Sequence, residues 1–161
     1  AKTMNFLTEH GISSYGELES KLTVVSARRD TAHAEIKRIE SRSAELTLVM
    51  KHAGTYRQLK PIYDRYRKSN DKEKFLRGHE SEIILFEAAA RELKRLGAVP
   101  LPTTESMKTE LTNLAAEKER LLAEYKAART EAQEYETVKQ NVDALLTVPK
   151  EQEQQRRYEL E

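Results

Sequence analysis

LESKLTVVSARRDTAHAEIKRIESRSAELTLVMKHA, residues 18–53, decides the fold. Its apolar positions advance in alternating steps of four and three: Leu18, Leu22, Val25, Arg29, Ala32, Ile36, Ile39, Ser43, Leu46, Met50 and Ala53, with only Arg29 and Ser43 polar. That spacing returns side chains to one face of an α-helix every two turns and is the seam of a coiled coil. Ser14 and Glu17 precede it in the spacing of a capping box, where hydroxyl and carboxylate each satisfy a backbone N–H that the first turn leaves unpaired. At 1.5 Å per residue the helix reaches about 55–60 Å. Ahead of it, Asn5 to His10 reads as a short helical turn stopped by Gly11, a residue that takes the left-handed conformation at little steric cost.

The same rhythm returns near the other end of the chain. Met107, Leu111, Leu114, Lys118, Leu121, Tyr125, Ala128, Ala132, Tyr135, Lys139, Val142 and Leu146 form a second stripe, capped by Thr103 or Thr104 and ended at Pro149. Two helices of similar length, separated by some fifty residues, bury their seams most simply by folding back on one another. Large residues facing small ones across the seam predict Ile39 near Tyr125, Ile36 near Ala128, Ala32 near Ala132 and Met50 near Leu114, to within one helical turn.

Between the stripes, Gly54 is expected to break the first helix, and Pro61 to start or bend the next segment. That segment carries Tyr56, Leu59, Tyr63 and Tyr66. Ser69-Asn70 is a turn, Asp71 caps a short helix loosened at Gly78, and Ile83 to Leu96 is amphipathic up to Gly97. Val99 and Leu101 each precede a proline and are therefore extended. The expected fold is all-α: a long antiparallel helical hairpin with a small helical head inserted between its long helices. Its parts are a lead-in over 1–13, long helix 1 over 14–53, the head over 54–103, long helix 2 over 104–148 and a polar, disordered tail over 149–161.

Composition agrees. Charged residues make up 34% of the 161 and apolar ones 38%, with five Gly and four Pro, which suits long helices. No apolar run approaches the roughly 20 residues of a membrane span. There is no charged start followed by an apolar stretch, as in a signal peptide, and the absence of cysteine removes disulfide and thiolate chemistry. A cytoplasmic setting is expected. The chain begins at Ala1 and closes on Leu160-Glu161, which reads as a piece excised from something longer.

The net charge of +1 hides a local excess. Residues 51–77 hold nine basic side chains against three acidic ones, a net +6, which leaves −5 for the remainder. Here Arg57, Lys60, Arg65, Arg67, Lys68, Lys72, Lys74 and Arg77 interleave with Tyr63 and Tyr66, a mixture able to touch phosphates and stack on bases. The plainer reading makes the tyrosines the apolar face of the head and the cations its solvated face. His10, His33, His52 and His79 lie far apart in sequence, with no metal-ligand spacing. No Gly-rich phosphate loop, nucleophilic Ser or carboxylate pair is recognisable, so neither cofactor nor metal nor catalytic residue is expected, and an independent hydrolase is the least favoured class.

Several stretches carry a family likeness. They are Lys51-His52, Tyr56 and Ile62-Tyr63-Asp64-Arg65-Tyr66-Arg67-Lys68; then Lys74-Phe75, His79-Glu80 and Glu82 to Ala89; then Leu96-Gly97, Leu101-Pro102, Glu117-Lys118, Tyr125-Lys126, Arg129 and Asn141-Val142-Asp143. In order and spacing these resemble the C-terminal helical region of relaxase (mobilisation) proteins of conjugative elements in Firmicutes, over about Gly11 to Leu146. Pro61 departs from the pattern. The resemblance implies an accessory part of a protein that nicks one DNA strand in plasmid or transposon transfer. The nicking tyrosine and the histidine-bound metal of that family belong to its N-terminal domain, so Tyr63 and Tyr66 inherit no nucleophilic role. DNA and a protein of the relaxosome or transfer machinery are the implied partners. The alternative is a coiled-coil interaction or dimerisation module, partnered by another protein or a second copy of this chain, with no DNA contact.

Overall fold

A computed structural model describes residues 2–160, with side chains except at positions 148–153, 158 and 160. The described residues form four helices and no strand: α1 (Lys2–Glu9), α2 (Tyr15–Lys68), α3 (Lys72–Arg95) and α4 (Thr104–Leu160). They divide into two compact units, Ala1–Ile36 with Glu119–Glu161, and Lys37–Lys118, and α2 and α4 each run through both. In each unit α2 and α4 pack antiparallel, as the paired stripes require. No helix of the described residues is long and apolar enough to cross a membrane.

The helix ends follow local chemistry. The Glu17 N–H donates to Ser14 Oγ at 3.2 Å, and the Glu17 carboxylate accepts from the Ser13 N–H at 2.8 Å, one residue earlier than a simple capping box. The bonds from the Ser13 N–H and then the Ser13 hydroxyl hold the Glu17 carboxyl below the usual glutamate range. Gly11 and Gly97 take φ of 62° and 70°, and the next residues close the ends of α1 and α3 through Ile12 N–H to Leu7 O and Ala98 N–H to Leu93 O, both at 2.9 Å. Thr103, rather than Thr104, caps α4, its Oγ1 accepting from the Ser106 N–H at 3.1 Å.

In the first unit Leu18, Val25, Ala132, Tyr135 and Val138 form a buried cluster, and Phe6, Leu7 and Ile12 from α1 and its turn pack against it. Phe6 meets Tyr135 edge-on at 5.1 Å. Burial raises the Tyr135 hydroxyl above its ordinary value. Tyr15 donates to Asp143 at 2.7 Å, Arg28 pairs with Glu131 at 3.4 Å, and the His33 and Tyr125 rings lie 5.7 Å apart. These contacts place the helices one heptad away from the expected register. Tyr125 is at the level of His33 rather than Ile39, and Ala128 and Ala132 are displaced equally from Ile36 and Ala32. A seam repeating every seven residues is satisfied equally well by either alignment, so pairs off the seam decide.

The second unit adds α3 to α2 and α4. Its core includes Ile39, Leu46, Val49, Ala53, Ile83, Phe86, Ala89, Leu93 and Met107. Val49 lies off the seam and is buried because α2 turns a second face to α3. Arg42 makes a two-bond clamp on Glu110, at 2.8 and 3.2 Å, and Lys118 reaches Glu40 at 3.5 Å. This alignment also separates Met50 from its expected partner Leu114.

Two expected boundaries are absent. α2 passes unbroken through Gly54 and Pro61 to Lys68, and α4 continues past Pro149 to Leu160. A glycine costs a helix about 1 kcal/mol and an interior proline about 3. Buried Ala53 and the stacking of Tyr56 and Tyr63 on Phe86, at 4.7 and 4.3 Å, offset this in α2. Beyond Pro149 the chain is mostly Glu, Gln and Arg, all good helix formers, and proline's fixed φ is itself a helical value. Leu146, counted on the second stripe, is 57% exposed.

Candidate nucleic-acid interface

The basic stretch lies on the last turns of α2 and the first of α3. Ser69-Asn70 makes the turn, with Ser69 Oγ donating to Asp71 O at 3.1 Å. Asp71 caps α3 by accepting from the Lys74 N–H at 3.1 Å. Against this frame an aromatic series links the two helices. Tyr63 and Tyr66 lie 6.0 Å apart, Tyr66 and Phe75 6.1 Å, and Phe75 stacks on His79 at 4.5 Å. Tyr63 and Tyr66 are thus half-buried packing residues that join α2 to α3, as the plainer sequence reading has it.

The cations separate into two groups. Arg57 donates to Pro102 O at 2.6 Å and Thr104 Oγ1 at 2.7 Å, so it fastens the segment that leads into α4. Lys60 binds Asp64 at 2.9 Å, and this bond raises its ammonium above the ordinary lysine value. Those two are committed to the fold. Arg65 lies over the Phe75 ring at 5.8 Å, without a carboxylate partner among the described residues. Arg67, Lys68, Lys72, Lys74 and Arg77 are exposed, and among the described residues no hydrogen bond or ion pair engages their side chains.

Arg65, Ser69, Lys74, Phe75 and His79 line a cleft of about 320 Å³ at this turn. α3 leaves helical geometry at His79, with φ −136° and ψ 26°. His79 Nδ1 is enclosed without a hydrogen-bond partner, the Glu82 carboxylate being 3.7 Å away, so the imidazole is held by its stack on Phe75. Phe75 and His79 belong to the stretches that carry the family likeness but not to the candidate site residues read from the sequence. Gly78 marks a loosened helix there, but the local signal for the contact is the spacing of four between the two rings, which sets side chains beside each other on one helix face.

No three or more His, Asp or Glu side chains converge as a metal site among the described residues. No family model matches the chain, and neither the curated proteins nor the solved structures yield a significant match. The arrangement can therefore be judged only by its chemistry: unpaired positive charge on a two-helix corner, beside a ring-walled cleft.

Proposed function

We propose that the α2–α3 corner binds the phosphate backbone of nucleic acid, as a non-catalytic accessory element of a DNA-processing protein. The relaxase class that the sequence resembles is the parent we favour. One observation carries this reading. Arg65, Arg67 and Lys68 end α2, where cations complement the helix dipole and so have a structural explanation, whereas Lys72 and Lys74 stand in the first turn of α3, where the dipole disfavours them. Exposed cations that oppose the helix carrying them contribute nothing to its folding. A polyanion gives them a role, because phosphate contacts release counterions.

The test is a titration with duplex and single-stranded DNA across salt concentration. Each phosphate contact contributes about 0.7–0.9 to the slope of log affinity against log salt, so Arg67, Lys68, Lys72 and Arg77 all changed to Gln should flatten it by about two to four. Lys72→Gln alone should weaken binding while slightly raising the melting temperature, an opposition that a purely structural lysine would not produce. Wild-type protein without salt-sensitive binding at low ionic strength overturns the reading. The alternative, a protein-interaction or dimerisation module, draws on Ile84 and Leu85, which stand adjacent on α3 at 53% and 55% exposure. Light scattering that gives a dimer, lost on changing both to Gln, would favour it.

A further inference from the structure

We infer that the α2–α3 corner selects double-stranded over single-stranded DNA, gripping the backbone without stacking on a base. This rests on the polyanion reading of the same corner and specifies the form of nucleic acid that the corner holds.

The rings of the corner are engaged within the protein. Tyr56 and Tyr63 stack on Phe86 at 4.7 and 4.3 Å, and Tyr66 lies 6.0 Å from Tyr63 and 6.1 Å from Phe75. Phe75 in turn stacks on His79 and has the Arg65 guanidinium over its face. None of the rings between residues 51 and 79 is exposed. Proteins that hold single strands combine a cationic groove with open rings on which bases stack, each stacked base strengthening binding about five- to 140-fold. The corner has the cations and lacks the open rings. A single strand therefore forgoes here the contact that ordinarily compensates for its lower charge density.

What the corner offers is charge. Between residues 67 and 77 five cations, Arg67, Lys68, Lys72, Lys74 and Arg77, stand against two acidic side chains, Asp71 and Glu73, and all seven are exposed. A duplex carries one charge for about each 1.7 Å of its axis, roughly twice the density of one strand. It also releases about 0.9 counterions per neutralised phosphate, against about 0.7 for a single strand. With about four phosphate contacts the salt slopes become about 3.6 for the duplex and about 2.8 for the strand. That difference of about 0.8 makes the preference for duplex grow about sixfold for each tenfold fall in salt concentration.

Anisotropy titrations of the full chain against labelled DNA of one length test this, the probes being a duplex, one of its strands, and a strand made of abasic nucleotides. The duplex should bind several-fold tighter than the strand at low ionic strength, with a preference that grows about sixfold over a tenfold dilution of salt. The abasic strand should bind less than about fivefold more weakly than the ordinary strand, since one stacked base opens a gap at least that wide. Arg67, Lys68, Lys72 and Arg77 changed to Gln should weaken the duplex most and bring the ratio of duplex to strand towards one, with folding checked by circular dichroism. Absence of salt-sensitive binding to all the probes overturns the polyanion reading, and this inference with it. Three results overturn the inference alone, each with salt-sensitive binding retained. They are a strand that matches or exceeds the duplex, an abasic strand more than about fivefold behind the ordinary one, and a Gln variant that keeps the wild-type ratio.

Discussion

The two compact units use the same pair of helices for different ends. The unit of residues 1–36 and 119–161 is acidic, with eleven basic side chains against fifteen acidic, and its described core consists largely of seam residues with α1 laid on them. The unit of residues 37–118 is basic, with seventeen against twelve, and its core spreads beyond the seam to a second face of α2 where α3 packs. A seam alone stabilises a hairpin. The second face lets α2 extend through a glycine and a proline and end in a corner that can carry unpaired charge.

Phe86→Ala should have the largest effect on this contrast. The ring is 5% exposed and stacks on both Tyr56 and Tyr63, so its loss should cost about 3–5 kcal/mol. Hydrogen exchange should show protection lost first in α3 and the last turns of α2. Equal loss throughout 15–36 would mean that the two cores do not differ as described. Gly54→Ala should act in the opposite direction. A Cβ at this exposed helical position meets nothing within 4 Å, so stability should rise by about 0.5–1 kcal/mol in denaturant unfolding. A destabilised variant would mean that α2 does break there.

Smaller still is the clamp between Arg42 and Glu110. Arg42→Gln should cost no more than about 0.5–1 kcal/mol, because both side chains are some two-fifths exposed and solvent screens them. The Arg42 hydrogen bond holds the Glu110 carboxyl below the ordinary glutamate range. Its contribution is therefore present above that range and lost as pH falls through the depressed value, so wild type and variant should converge in acid melts. The least effect on stability belongs to Tyr15. Its hydroxyl is pushed up to about 12, first by the bond to Asp143. A raised value means that the stabilisation is complete below about 10, the ordinary tyrosine value, and disappears as pH rises through 12. Spectrophotometric titration should show Tyr15 as the latest tyrosine, a step that Tyr15→Phe removes; its titration in the ordinary tyrosine range would contradict the bond.

Much of the candidate interface was legible as residue types and little of it as roles. The local charge excess placed Arg67, Lys68, Lys72, Lys74 and Arg77 correctly on one corner, because neighbours in a turn are neighbours in space. Arg57 and Lys60 have the same charge and nearly the same sequence position, yet Pro102, Thr104 and Asp64 occupy them. Two of those three partners lie more than forty residues away, beyond any local pattern.

The sequence by itself determined the all-helical class, the caps at Ser14 and Asp71, a threonine cap at 103 or 104, the left-handed stops at Gly11 and Gly97, and the two apolar stripes. Each depends on bonds or periodicities confined to a few turns of chain. Only the tertiary structure decided the register, the passage of α2 through Gly54 and Pro61, and the seating of Tyr56 and Tyr63 on Phe86. A seven-residue pattern looks the same after a shift of seven, and a helix breaker costs a few kcal/mol at most. Packing against a third helix is of at least that size, so where such a helix docks, the local preference yields.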